Sequence, residues 1–344
     1  MLKFAPTSSL RKADLIKLSK LISTLLFFFF ISVELDAGEK EELEIQFSQL
    51  IEKPCQIIRQ LTGGVTNKAY LVQAEEDKFM VRLGRQSPEE LGIDRESELL
   101  CHNLAAKHGI APQIIYADPD SGTLVTEFKE GETLTLKKMR QENVRNEVIG
   151  LLKRCHKIPP DQALHLVGPY ENICKLITRT RETEPFLLSP DDMDSILKTI
   201  EEISLIVPNK DYEGICHNDL NNLNFIESDG KIWIIDWEFA GLGNTLFDLA
   251  GYCVAQELNP DEIREVLQLY TGHNDSEQLI QLQLMCAVNE LWNSFYYFLQ
   301  HLTQRDDPSH LTKGFEHYFT YWKRIQYIQE IYSTPLKNQQ KRAA

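Results

Sequence analysis

Between residues 55 and 83 apolar and polar positions alternate. CQIIRQL and AYLVQA flank GGVTN, which predicts a β-hairpin with a glycine-containing turn, and FMVRL (Phe79–Leu83) predicts a third strand. The period then changes. Leu91, Leu99, Leu100 and Leu104 recur at helical spacing, so residues 88–108 are expected to form a helix with Pro88 near its start. GTLVTEF, residues 122–128, returns to a strand pattern, and Glu130-Gly131 follows as a turn. Beyond this point the helical period dominates. Thr135 is placed to cap a helix over 136–157. Ser189-Pro190-Asp191-Asp192 and Asn259-Pro260-Asp261-Glu262 each supply a cap, a first-turn proline and an acidic first turn in order. Residues 276–300 and 310–332 predict two long amphipathic helices. One β island, residues 224–237 with the strand IWIIDW, interrupts the helical part.

The first 37 residues follow a different rule. In residues 1–20 Lys3, Arg11, Lys12, Lys17 and Lys20 stand against Asp14 alone, and Leu21–Val33 is an apolar run, LISTLLFFFFISV. That is the charge order of a secretory signal, although the run is shorter than the about 20 residues a membrane span needs. A signal, an uncleaved anchor and a mis-assigned start all fit it, and residues 15–33 are where membrane association would occur. Residues 34–52 are acidic and read as a solvated helix leading into the folded part. The chain therefore divides into a basic and hydrophobic segment (1–37), a β-rich lobe (38–130), a helical lobe (131–332) and a basic tail (333–344).

At 344 residues, 42% hydrophobic and 25% charged, the chain can bury a sizeable core. Its net charge of −15 argues against a nucleic-acid-binding role, which needs a Lys/Arg excess. The seven cysteines are odd in number and widely spaced, with no CxxC pair, so they form neither a disulfide framework nor a zinc site.

The strongest chemical signal is His217-Asn218-Asp219-Leu220-Asn221-Asn222-Leu223-Asn224, followed by Ile235-Asp236-Trp237-Glu238. Phosphoryl transfer needs a carboxylate to take the acceptor hydroxyl's proton and oxygen ligands for Mg²⁺ on the phosphates. A loop Asp, an amide five residues later and an Asp ending a hydrophobic strand supply that set, with kinase spacing. A polar turn plus a hairpin would explain any one of them, but not all three in register. The chain order, a β-rich part with one helix and then a helical part with an embedded hairpin, is also that of a two-lobed kinase.

HNDLNNLN together with IDWEFAGLGNTLFDLA resembles the choline/ethanolamine kinase branch of the aminoglycoside phosphotransferase-like superfamily, over roughly residues 50–325. The resemblance implies an α+β, protein-kinase-like fold with a small β-rich N-lobe and a larger, mainly helical C-lobe. It implies ATP and Mg²⁺ as cofactors, Asp219 as catalytic base, and Asn224 and Asp236 as metal ligands. Asn244 and Asp248 match family residues that brace the loop, and Asp248 also reads as a helix N-terminal carboxylate. Gly63, Gly64, Thr66 and Asn67 resemble the family's phosphate-covering loop, where backbone N–H groups approach phosphates in the absence of side chains. Arg82 would contact the phosphates and pair with Glu98, with Glu96 as second choice and Lys78 as a competitor on the same strand face. Backbone groups around Glu127 would meet adenine.

A quaternary ammonium acceptor needs aromatic faces and an anion, each cation–π contact being worth roughly 0.5–2 kcal/mol. Trp292 and Phe295 fall at the family's W-x-x-W, with Phe replacing the second Trp. Tyr252, Glu257 and Glu238 are further candidates, whereas Tyr296, Tyr297 and Phe298 read as core. No Gly follows Asp236, no Ala-Pro-Glu is present, and little room is left for an activation loop before Asp248, so a small-molecule hydroxyl is preferred to a peptide. The expectation is an ATP-dependent kinase of choline or a close amino alcohol, monomeric or homodimeric, with a cytoplasmic catalytic domain. The alternatives are an aminoglycoside, thiamine or other small-molecule phosphotransferase of the same fold, a non-catalytic nucleotide-binding relative, or an exported binding protein.

Overall fold

The computed structural model describes residues 36–61, 67–84, 93–164, 166–184, 187–209, 213–303 and 307–332. The turn residues Gly63, Gly64 and Thr66, Pro88 and Leu91, the segment 15–33 and the basic tail lie outside them.

Asp36 caps the first described helix, α1 (Ala37–Ile51), by accepting the amides of Gly38 and Glu39. The helix is not wholly solvated as its charge suggested. Phe47 and Ile51 are buried against Tyr70, Val72, Phe79, Val81 and Val125, so its inner face completes the N-lobe core. Next come β1 (Gln56–Leu61), β2 (Lys68–Ala74), β3 (Asp77–Leu83), α2 (Arg95–Lys107), β4 (Ile114–Asp118) and β5 (Thr123–Glu127). The five strands form one antiparallel sheet in the order β1-β2-β3-β5-β4. Alternation sends Ile57 inward and Ile58 to solvent, and a register shift follows at Arg59. The helix expected from residue 88 is described from Arg95, where Asp94 caps it. Its inner residues Cys101, Ala105 and Ala106 join the core of the second lobe, so α2 packs across both.

The C-lobe runs through β6 (Glu132–Thr133), α3 (Leu136–Met139), α4 (Glu142–Cys155), β7 (Leu166–Val167), α5 (Pro169–Thr183), α6 (Pro190–Ile206) and β8 (Glu213–Cys216). It continues with β9 (Phe225–Ser228), β10 (Lys231–Ile234), β11 (Gly241–Asn244), α7 (Thr245–Ala255), α8 (Pro260–Thr271), α9 (Ser276–Thr303) and α10 (Pro308–Ile331). Thr135 caps a helix as expected, but not one reaching residue 157. The helix stops after Met139, Gln141 is extended, and α4 restarts at Glu142. The break lets Met139 enter the core while Arg140 donates to the carbonyls of Gln256 and Glu257. β9 and β10 form the embedded hairpin, with β6 on its edge, and a second small sheet runs β7-β11-β8. Both small sheets carry the segments that lead into the site.

Helix α9 is the axis of this lobe, with α10, α7, α5 and α8 around it. Its crossing with α10 is close because Gly314 has no side chain. A Cβ there would lie 2.4 Å from the Phe298 ring, and Ser294 donates across the same point to the Gly314 carbonyl at 2.8 Å. All seven cysteines are free thiols, and the six buried ones pack as small hydrophobes. Among the described residues no helix is long and apolar enough to cross a membrane.

Candidate active site

The loop after β8 is held from two sides. Asp248, in the first turn of α7, accepts the backbone N–H groups of His217 (3.0 Å) and Asn218 (2.7 Å). Asn244 caps the same helix through the amides of Leu246 and Phe247. His156 Nε2 donates to Asp248 at 2.9 Å, and its Nδ1 accepts from the Tyr270 hydroxyl at 2.7 Å. Burial alone would raise the Asp248 carboxyl, but the His156 hydrogen bond and nearby imidazoles hold it below the ordinary carboxylate range. His156, Cys216 and Asp248 lie within metal-ligating distance of one another. Both Asp248 oxygens are already engaged by protein donors, so this buried cluster is a brace for the loop.

His217 supplies the second hold. Its Nε2 donates to the carbonyl of Ile235 at 2.9 Å, and its Nδ1 accepts the Asp219 amide at 3.3 Å. One imidazole thus ties the Asp219 backbone to the residue before Asp236, and the Trp237 ring meets it edge-on at 4.9 Å. Asn218 and Asp236 both adopt left-handed backbone, each with φ of 63°. Asn and Asp tolerate that region better than other non-glycine residues, and at Asp236 it turns the carboxylate out of the strand direction. Asn224 donates to the Asp219 carbonyl and to its Oδ2, both at 2.8 Å, and Asn221 donates to both Asp219 oxygens at 3.0 and 3.1 Å. The structure therefore brings Asp219 and Asn224 into contact and aims Asp236 into the same cleft.

The electrostatics there are those of a cation site. Crowding by protein and the charges of Glu238 and Asp219 push the Asp236 carboxyl above its ordinary range, with Arg82 offsetting part of the shift. Asp236 keeps an exposed side toward the cleft, so the two neighbouring carboxylates matter as much as burial. An amide oxygen and clustered carboxylates form the hard donor set that suits Mg²⁺.

On the N-lobe side Arg82 is 6% exposed and faces Glu98 at 0%. Both terminal guanidinium nitrogens engage its carboxylate, with NH2–Oε2 at 3.0 Å. Burial would raise Glu98, but the two arginines beside it, Arg82 and Arg95, hold it down. Lys78 does not compete, since it pairs with Glu130, and Glu96 lies exposed. Asn67, which follows the glycine segment, donates to Glu238 at 2.8 Å. At the lobe connection the amides of Glu127 and Phe128 donate to the carbonyls of Gln113 and Lys78, and the Glu127 side chain meets Lys129.

The expected acceptor residues separate. Phe295 is fully buried against Phe298, and the half-buried Trp292 meets Phe247 of α7 edge-on at 6.0 Å. Tyr252 is buried, with its phenol raised first by burial and moderated by Arg145 and Arg140. Glu257 follows α7 where Arg140 grips its carbonyl. Of the three aromatics read as core, only Phe298 is fully buried. Tyr296 is half-buried, and its phenol is raised by burial and then by Glu238 and Asp219. Tyr297 is raised by burial and by Asp219, and its ring stacks with His317 at 5.6 Å and His310 at 6.1 Å. Phe239, whose carbonyl accepts from Asn218, meets Tyr296 edge-on at 6.2 Å. Phe239 was outside the sequence expectations and Tyr296 and Tyr297 were expected as core, and the structure places all three half-buried in one run of ring contacts. The available signal was the continuation of the Asp-Trp-Glu segment into Phe239 and the position of two tyrosines one residue beyond the expected aromatic pair.

The comparisons with known proteins agree with this fold. The family model for choline/ethanolamine kinase matches residues 58–262, and the chain belongs to that family, whose members are small-molecule kinases of protein-kinase-like fold. It is similar to LicA of Haemophilus influenzae, 24% identical over 224 residues, covering 64% of this chain and 65% of that one. It is 26% identical to ethanolamine kinase 1 of Homo sapiens over 272 residues, 74% of this chain and 57% of the relative. The chain thus spans less than two thirds of either relative's length. The crystal structure of choline kinase from Cryptosporidium parvum shares the fold with a TM-score of 0.70 at 14% identity, over 87% of this chain and 99% of that one.

Proposed function

We propose that this protein transfers the terminal phosphoryl group of ATP to the hydroxyl of choline or a close amino alcohol. The observation that carries the reading is the braced cluster of Asp219, Asn224 and Asp236, facing an Arg82–Glu98 pair on the opposite lobe. In this reading the N-lobe (38–130) holds the nucleotide and the helical lobe (131–332) holds the acceptor. Asp219 orients the acceptor hydroxyl and takes its proton. Asn224 and Asp236, with Glu238 beside them, would hold Mg²⁺, which neutralises phosphate charge when bound. Arg82, kept in place by Glu98, offers its guanidinium to the phosphates, and most of the rate enhancement comes from positioning and fixed charge. The acceptor's cationic group is met by Glu238 and the aromatic groups of Phe239, Tyr296 and Tyr297, near enough to Asp219 to feel its charge. The need for ATP places the catalytic lobes in the cytoplasm.

The test is a panel of choline, ethanolamine, thiamine and kanamycin at equal concentration with the full chain, ATP and Mg²⁺, read by phosphorylated product. The proposal expects product with choline or ethanolamine. Product with thiamine or kanamycin alone would move the acceptor to another class on the same fold.

A further inference from the structure

Arg95 breaks a local rule. It occupies the first position of α2, where the helix dipole disfavours a cation, and where Asp94, Glu96 and Glu98 supply the usual acidic start. It is also 8% exposed, so its charge is buried. A buried charge is kept only where partners hold it, and replacing a whole buried ion cluster with apolar residues is often neutral for stability, whereas removing one member strands the others. Its retention at this place points to a use in the site.

The partners span the cleft. Arg95 NH1 lies 2.7 Å from Glu98 Oε2 and 3.6 Å from Glu238 Oε2, and NH2 donates to Asn67 Oδ1 at 3.2 Å. Asn67 Nδ2 in turn donates to Glu238 Oε2 at 2.8 Å, which closes a triangle. Each of the three partners of Arg95 belongs to a different part of the site. Asn67 adjoins the segment read as the phosphate loop, Glu98 holds Arg82, and Glu238 stands two residues past Asp236. The turn before β5 is shaped around the guanidinium. Gly122 has φ of 68°, a Cβ there would lie 3.3 Å from Arg95 Nε, and its carbonyl receives Arg82 at 3.4 Å.

We propose that Arg95 is a positioning residue that links nucleotide binding on the N-lobe to acceptor binding at Glu238. The proposal rests on the kinase reading above and extends it. Ordering Asn67 and the Arg82–Glu98 pair around phosphate fixes Arg95, and Arg95 fixes the carboxylate that faces the acceptor. The two ligands then bind with positive coupling.

The experiment is a grid of initial rates over ATP and acceptor concentration, using the full chain and its Arg95→Gln, Arg95→Lys, Asn67→Ala and Arg95→Gln/Asn67→Ala variants. In the parent, saturating ATP should lower the acceptor KM by about fivefold or more, the lower end of ordinary coupling. In Arg95→Gln that ratio should fall to about 1, and Lys should not restore it, since a compact ammonium lacks the planar fork whose two nitrogens reach Glu98 and Asn67 separately. The double variant should be no worse than Arg95→Gln alone. A purely structural role would lower stability or kcat and leave the ATP dependence of the acceptor KM intact, and that result would overturn the proposal. If Arg95→Gln does not fold, Arg95→Lys and Asn67→Ala must each still reduce the ratio. If the parent phosphorylates no amino alcohol, the amino-alcohol reading fails separately. The same cycle is then run on ADP affinity, where non-additive losses support the link and additive losses contradict it.

Discussion

Asp219 is held at its backbone by His217, at its carboxylate by Asn221 and Asn224, and through the loop amides by Asp248. Replacing it with Ala should lower turnover by at least ~10²-fold, the low end for a general base, with ADP binding retained in a titration. Asp248→Asn acts differently. One oxygen becomes a donor facing the His156 and backbone donors, and each buried group left unpaired costs about 1–3 kcal/mol. Thermal melting should show the loss, and kcat should fall with little change in KM for ATP. The spacing of Asp219, Asn224 and Asp236 is local, so their grouping was legible in the sequence. The Arg95–Glu238 contact was not. Its partners are 143 residues apart by number, and an arginine in the first turn of a helix carries no pattern that names its partner.

At the scale of elements, two packing contacts decide what faces the cleft. Gly314 lets α10 approach the Phe298 ring, which fixes the rotation of α9 and so turns Phe295 and Phe298 inward. Gly314→Ala should destabilise the lobe by about 1–3 kcal/mol through overpacking, measured by denaturant midpoint. Periodicity showed both helices, but not their rotation, because aromatics occupy every face of residues 290–298. That is why Trp292 and Phe295 stood out in sequence, while the structure buries Phe295 and leaves Tyr296 and Tyr297 half-buried. Helix α1 is the converse case. Its acidic surface hid a buried Phe47, and Phe47→Ala should cost about 3–5 kcal/mol if the helix is part of the N-lobe core.

The whole molecule carries a pH dependence that follows from a buried histidine. His102 is 3% exposed where α2 packs on the second lobe, with Nε2 on the Pro112 carbonyl. Burial lowers its pKa from 6.5 to about 4. Above pH 6.5 it is neutral folded or unfolded. As pH falls toward 4 the unfolded chain binds a proton that the folded chain refuses, so stability declines across that window by an amount of the order of 3 kcal/mol. Glu98 and Asp248, whose carboxyls are held down, add losses only at lower pH, as the medium falls through their folded values. Denaturant unfolding at stepped pH should show the first slope in the parent and a flatter one in His102→Gln. The two-lobed order was readable from the switch of period near residue 130. The way α2 buries its apolar face in the helical lobe while its Glu98 holds Arg82 of the N-lobe sheet was not, since it depends on which of its faces meets the helical lobe.

The most direct test of the account is ADP formation by the full chain with ATP and Mg²⁺, with and without choline or ethanolamine, beside Asp219→Ala. The account predicts acceptor-dependent ADP release in the parent, matched by phosphorylated acceptor, and its loss in the variant. Equal acceptor-dependent turnover in both proteins would contradict it.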